Sequence, residues 1–208
     1  MMKVLMINGS PNENGCTFRA LTEVASALKE EGVDSQILSI GKGAIHGCIG
    51  CGACSKLGHC VFTDDKVCEA VELAKEADGL IVGSPVYYAS PNGSILSFLD
   101  RMFYSGSAYL AYKPAAAVAS ARRAGTTATL DALNKYFMIN KMPVVSSNYW
   151  NMVHGKTPAD VEQDLEGLQI MRGLGRNMAW MLKCIKAGEE KGILPGTGEK
   201  KIYTNFIR

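Results

Sequence analysis

The sequence predicts an α/β fold: a three-layer sandwich around a five-stranded parallel sheet in the order 2-1-3-4-5. Three observations carry that prediction. Short apolar runs alternate with longer stretches whose apolar residues recur at helical spacing, the signature of strand–helix–strand units. Loops rich in glycine, proline and small polar residues follow the first, third and fourth of those runs. No internal repeat or low-complexity linker divides the 208 residues, so one domain with a well-buried core is expected.

Taken in order, Lys3–Ile7 (KVLMI) reads as a first buried strand. Thr17–Glu31 places Phe18, Leu21, Val24, Ala25 and Leu28 at helical spacing, and Gly32 follows as a C-terminal cap. Ser35–Ile40 is a second strand. Residues 41–63 lose all periodicity and form a glycine- and cysteine-rich insertion. Asp64 and Asp65 then cap a helix to about Ala77, with acidic charge at its positive end. Gly79–Gly83 (GLIVG) is the third strand, Pro91–Phe103 a helix, Pro114–Ser120 the fourth strand, Thr127–Asn140 a helix and Met142–Ser146 the fifth strand. Ala159 to about Ala187 reads as one long final helix that tolerates glycines at 167, 173 and 175. The domain is therefore expected to span 1–187, with 188–208 as a polar tail or partner-contacting arm. Right-handed crossovers place the helices on both faces of the sheet.

Charge excludes some classes. The net charge of +2 comes from 22 basic and 20 acidic residues without a basic run, so neither nucleic acid nor a membrane surface is an expected partner. The amino terminus is apolar for about five residues, too short for a signal peptide or a membrane helix. A cytoplasmic location is expected. Of seven cysteines, Cys48, Cys51, Cys54 and Cys60 crowd into one short segment, while Cys16, Cys68 and Cys184 are scattered. Such a cluster points to a metal or redox site rather than a disulfide framework.

Three loops share the carboxyl edge of the predicted sheet. The first, Gly9-Ser10-Pro11-Asn12-Glu13-Asn14-Gly15-Cys16-Thr17, joins a strand end to a helix start, where free amides and the helix dipole favour a phosphate. Ser10, Asn12 and Thr17 add short donors, and Gly15 lets the backbone approach. The spacings G-x4-G-K-[ST] and G-x-G-x-x-G are both absent, which leaves the terminal phosphate of a mononucleotide; the plain alternative is an ordinary capped turn. Cys16 sits where a thiol pKa can fall, but is expected to donate or pack. The second loop holds Pro85, Val86, Tyr87, Tyr88 and Ala89, a stiff aromatic wall suited to a flat heteroaromatic ring, although one tyrosine is expected merely to pack on its neighbours. The third, Ser120 to Thr127, offers Arg122 or Arg123 to stabilise negative charge on a reduced isoalloxazine.

In combination, NGSPNENGCT, GCIGCGAC, ADGLIVGSPVYYASPNGSILSFLDR and SNYWNMVHG resemble the NADPH-dependent FMN reductase and iron–sulfur flavoprotein group of the flavodoxin-like superfamily, over roughly residues 3–155. The resemblance implies FMN at the carboxyl edge of the sheet, NAD(P)H or another small donor reaching it, and a homodimer or homotetramer. By matching position, Ser10, Asn12, Gly15, Cys16 and Thr17 would hold the phosphate. Pro85, Val86, Tyr87, Tyr88 and Ala89 would face the ring, with Ser120, Arg122 and Gly125 on its other side.

Cys48-x2-Cys51-x2-Cys54 lets three thiolates converge on one face of a cubane, with glycines between them for tight turning, and Cys60 can supply a fourth ligand. The spacing resembles the motif of iron–sulfur flavoproteins, where a [4Fe–4S] cluster passes single electrons to FMN. It departs from the bacterial ferredoxin run. Zinc, or cysteines without any metal, are the alternatives. His46 and His59 read as loop histidines, and His154, after strand five, as a possible substrate or subunit contact. Asp100-Arg101 reads as a structural ion pair or interface contact, and Phe98–Tyr112 as core and subunit interface. Gly41-x-Gly43-x3-Gly47 lacks the strand–helix context of a dinucleotide site.

The expected function is that of an FMN-dependent NAD(P)H oxidoreductase reducing a quinone, a flavin or a xenobiotic. The protein would hold and polarise the ring and exclude water, so no acid–base pair is needed. The alternatives are an electron carrier relaying single electrons between the cluster and FMN, and a flavin-binding sensor.

Overall fold

Strands whose side chains are buried on both faces must be covered by helices on both sides, and β1 (Lys3–Asn8) shows why: Val4, Leu5, Met6 and Ile7 are all almost fully buried. A computed structural model describes residues 2–196, 198–200, 202–204 and 206 of the chain. After β1 come α1 (Cys16–Glu30), β2 (Asp34–Ser39), α2 (Cys54–Leu57), α3 (Val67–Glu76), β3 (Gly79–Tyr87), β4 (Ser90–Pro91) and α4 (Gly93–Leu110). The chain continues through β5 (Ala115–Ala121), α5 (Thr126–Ile139), β6 (Met152–His154), α6 (Pro158–Val161) and α7 (Leu165–Glu190). Five strands pair in parallel in the order β2-β1-β3-β5-β6, the predicted topology, and β4 adds a short antiparallel hairpin to β3.

Alternation along the strands divides the core in two. Leu5, Ile7, Leu80 and Val82 pack with α3, α4 and α5 through Val71, Phe98, Leu99, Met102 and Phe137. Val4, Met6 and Ile81 pack on the other face with α1 and α7 through Leu21, Val24, Leu28, Met171, Leu174 and Met178. The alanines of β5 split the same way, 115, 117 and 119 to one side and 116 to the other.

Three boundaries differ from the sequence reading. Strand five is displaced: Met142–Ser146 contributes only a bridge, Val144 to Ala115, and the ladder resumes at Met152–His154 against Ala119–Ala121. Between them Ser147 hydrogen-bonds the backbone of Tyr149 in both directions, a local alternative that draws the chain out of the sheet. His154 therefore ends a strand instead of lying beyond one. The long final helix is two helices, broken where Asp164 accepts from the Gly167 amide and caps α7. Finally, α7 runs to Glu190, so the tail is shorter than 188–208, and residues 197, 201, 205, 207 and 208 of it lie outside the described residues. No helix among the described residues is long and apolar enough to cross a membrane.

A charge network clamps α1 to α7 and α6. Glu23 pairs with Arg19 and Arg172, and Arg19 also reaches Glu162. Burial alone would raise the Glu23 pKa, but hydrogen bonds from Arg172 and Arg19 outweigh it and hold the carboxyl below its usual value. A carboxylate depressed in this way adds stability above its unfolded pKa, and that stability is lost as pH falls through the lower folded value. Glu23→Gln should thus cost about 1 kcal/mol at neutral pH in urea denaturation. The difference from wild type should shrink as pH drops below about 4.

Candidate functional site

The strands β1, β3 and β5 end together, and their loops are tied to one another. The Gly9 amide donates to the Gly83 carbonyl at 2.8 Å, and the Asn92 side-chain amide donates to the Gly9 carbonyl. The hydroxyls of Thr17 and Ser120 lie 2.8 Å apart, joining the first loop to the third. Gly125, at φ 96°, lies so close to the hairpin that a Cβ there would stand 2.5 Å from the Ala89 Cα. Glycine is the residue that this backbone tolerates.

The first loop is shaped from beneath by Asn8, which is fully buried. Its side-chain nitrogen donates to the Glu13 carbonyl and the Ser39 hydroxyl, and its oxygen accepts from the Ser10 amide. The Ser10 hydroxyl accepts from the Asn12 amide, and the Gly15 amide donates to the Asn12 carbonyl. Gly15 is the N-cap of α1, and no side chain among the described residues caps that helix. The first amides of α1 thus face the loop with the positive end of the helix dipole behind them.

Ser10 and Thr17 are buried, with hydroxyls that hydrogen-bond within the protein, whereas Asn12 is exposed and Gly15 and Cys16 are half-buried. Burial pushes the Cys16 thiol above its usual pKa, and the helix-start amide offsets this only in part. The thiol donates to the Gly155 carbonyl at 3.5 Å, as a packed donor would. The lowered pKa that its position suggested is not found.

The second loop is a hairpin. Pro85, Val86 and Tyr87 belong to β3, and Tyr88 and Ala89 make the turn with φ of 49° and 60°. Two consecutive left-handed residues are the signature of the tight turn that joins antiparallel strands, here built without glycine. Tyr88 is fully exposed and Tyr87 about half so, so neither is buried by its neighbours. In the third loop Arg122 and Arg123 are exposed, and the Arg123 carbonyl lies 3.1 Å from His154 Nε2. Ser120 lies beneath the first loop, next to Thr17. A cavity of about 420 Å³ opens between Pro11, Ile45, Tyr87, Asn92, Ser94 and Ser97.

The cysteine segment forms a second site. Cys48, Cys51, Cys54 and Cys60 all line one cavity of about 170 Å³, together with Phe62, Arg101 and Tyr104 of α4. The backbone turns through left-handed conformations at Gly50 and Gly52, and Cys54 opens the short helix α2. Cys68 stands behind this pocket, near the Cys60 and Phe62 carbonyls. No three His, Cys, Asp or Glu side chains among the described residues are gathered around a single metal position. His46 stacks on Phe62 at 4.4 Å and pairs with Asp64, while His59 contacts the Cys60 carbonyl.

Asp100 and Arg101 are not paired with each other. Asp100 accepts from the Tyr136 hydroxyl, and Arg101 forms a buried ion pair with Asp65. The stretch 98–112 is core at Phe98, Leu99, Met102 and Phe103, and exposed at Tyr104, Tyr109 and Tyr112. A further cavity, about 900 Å³, lies between Met2, Lys113, Leu182 and Leu194, away from all three loops.

Asn8 and Asn92 were not singled out from sequence. For Asn92 the signal is an asparagine just before an apolar helix; for Asn8 it is a polar residue closing an apolar strand.

Fold and site together define a flavodoxin-like α/β protein with a cysteine-lined pocket beside the carboxyl edge of its sheet. A model of the NADPH-dependent FMN reductase family matches residues 2–157. The chain is 34% identical over 196 residues to an iron–sulfur flavoprotein of Methanocaldococcus jannaschii, covering 89% of this chain and 100% of that one. It is 27% identical over 194 residues to an iron–sulfur flavoprotein of Methanosarcina thermophila, covering 91% and 100%. A flavone reductase superposes with a TM-score of 0.68 at 19% identity, over 89% of this chain and 64% of that one. A WrbA-like flavodoxin from Agrobacterium tumefaciens gives 0.64 at 16%, over 88% and 99%. These two likenesses speak for the fold alone. The chain belongs to the NADPH-dependent FMN reductase family.

Asn92 caps α4 by accepting from the Ile95 amide and ties that helix to the first loop while buried. Asn92→Ala should therefore cost about 2–3 kcal/mol, a lost cap plus an unpaired carbonyl, measured by urea denaturation.

Proposed function

We propose that the chain is an FMN-dependent NAD(P)H oxidoreductase that reduces a small acceptor such as a quinone, a free flavin or a xenobiotic. The observation that carries this reading is the convergence of three loops on one sheet edge, around a helix whose amino end lacks a side-chain cap. Family membership supports it.

The uncapped backbone amides at the start of α1 would hold the phosphate, with Asn12, Gly15 and Cys16 at the surface of the loop and the Ser10 and Thr17 hydroxyls shaping it from below. Pro85, Val86, Tyr87, Tyr88 and Ala89 would flank the ring on the hairpin side. Arg122 and the Gly125 backbone would flank it on the other, the arginine offering positive charge to electron density gained there, and Ser120 would brace the loop beneath. When bound, FMN supplies a centre that exchanges one or two electrons.

The second reading is an iron–sulfur flavoprotein electron carrier, and the shared cavity of the four cysteines favours it. Cys48, Cys51, Cys54 and Cys60 would hold a [4Fe–4S] cluster, which when bound exchanges single electrons. We read the protein as cytoplasmic, where its seven unpaired thiols suit a reducing compartment. A homodimer or homotetramer is supported by the exposed Tyr104, Met138 and Ile139.

Anaerobic mixing of the FMN-loaded protein with NADPH or NADH should bleach the flavin absorbance within one turnover. Failure with both nicotinamides rejects the oxidoreductase, while iron and sulfide bound without such bleaching favours the carrier. Gly125→Ala should push the hairpin away from the third loop and weaken FMN binding at least about tenfold, near 1.4 kcal/mol, in a fluorescence titration. Unchanged affinity would place the ring elsewhere.

A further inference from the structure

Arg101 projects from α4 into the wall of the cysteine pocket, and its side chain is 1% exposed. Its guanidinium donates to the segment that carries the cysteines and to Asp65 at the start of α3. Nε donates to Cys60 Sγ at 3.1 Å, Nη2 to the Phe62 carbonyl at 2.8 Å, and Nη1 to the His46 carbonyl at 3.3 Å and to the Asp65 carboxylate. The guanidinium carbon lies 5.3 Å from the centre of the Phe62 ring. Asp65, 3% exposed, also accepts from the Val67 amide at the start of α3.

A plain structural staple would be complete with the carboxylate and the two carbonyls. The bond from Nε to a sulfur is the part left over. A neutral thiol is a weak acceptor, whereas a thiolate takes a charge-assisted bond from a guanidinium. Burial strengthens such a contact, because solvent does not screen it.

We propose that Arg101 is a positioning residue that holds the Cys60 sulfur as a cluster ligand and raises the affinity of the bound [4Fe–4S] cluster for one electron. The inference rests on the cluster reading given above. One-electron reduction, from a low-potential one-electron donor and without proton uptake, adds one negative charge to the ligated group. A buried cation in hydrogen-bond contact with one of its sulfurs favours that added charge, so the potential rises. Asp65 works in the opposite sense, since its carboxylate partly neutralises the same cation.

The test uses the full chain with its cluster assembled anaerobically, titrated with dithionite at controlled potential and followed by the electron paramagnetic resonance of the reduced cluster, with iron and sulfide assayed in parallel. Arg101→Gln should lower electron affinity at least about tenfold, which is a fall of about 59 mV for one electron. Arg101→Lys, which keeps the charge, should recover part of that loss. Asp65→Asn, which keeps the shape and the acceptor for Val67, should shift the potential upward.

A purely structural role would lower iron content in these variants without opposite shifts in potential. Shifts of the same sign, or potentials within about twofold in electron affinity of wild type, overturn the proposal. Should Arg101→Gln fail to fold, Asp65→Asn decides alone: a rise supports the proposal, and no rise overturns it. Wild-type protein that takes up no iron and sulfide overturns the cluster reading and this inference with it. Iron-loaded protein with an unmoved potential overturns the inference alone.

Discussion

The ladder between β1 and β3 continues one residue past the end of β1, where the Gly9 amide donates to the Gly83 carbonyl, and everything at the carboxyl edge of the sheet depends on that bond. It fixes the point at which the first loop leaves the sheet and holds it against the base of the hairpin. Asn92 then uses the other polar group of Gly9, accepting at the same time from Ile95, so the start of α4 is located by the same residue. Thr17 and Ser120 extend the lattice to β5. Three loops from separate parts of the chain are thereby held by buried polar groups that find partners in one another.

This arrangement changes what the short polar residues of the first loop contribute. Ser10 and Thr17 look from sequence like phosphate donors, because hydroxyls beside a helix start are ready to bond an anion. Both are buried and bonded inside the protein, Ser10 accepting from the Asn12 amide with its own proton still free to donate and Thr17 pairing with Ser120, so both also set the course of the backbone. In the proposed function, main-chain amides and the helix dipole, which neither titrate nor rotate away, would carry most of the anion recognition.

What was legible in the sequence follows from where the folding signal is local. β1, β3 and β5 are continuous apolar runs, α1 and α3 have periodic apolar positions, and the sequence reading places all of them within a few residues. The fifth strand was not, because Ser147 offers the backbone a local partner that no apolar pattern reports. The turn at Tyr88 and Ala89 was hidden for a related reason: left-handed backbone usually announces itself with glycine or asparagine, and neither is present. The three candidate loops and the four cysteines are legible in the sequence, since each is a short segment with its own composition. Arg101 was not assigned its partners, because Asp65 and Cys60 lie 36 and 41 residues away and nothing beside Arg101 in sequence names them.

The helix α4 makes the two sites one construction. Ser94 and Ser97 line the cavity beside the first loop and hairpin, and Arg101 and Tyr104 line the cysteine pocket. At 1.5 Å per residue, Ser94 and Arg101 are separated by about 10 Å along the helix axis. Between them Ile95, Phe98 and Leu99 are fully buried in the core, so the helix can neither slide nor roll without breaking close packing. The insertion folds around the guanidinium at one end of this span, and the first loop is tied through Asn92 to the other. The spacing between the cysteine pocket and the carboxyl edge is thus a property of regular helix geometry, and does not rest on the irregular segment that carries the cysteines.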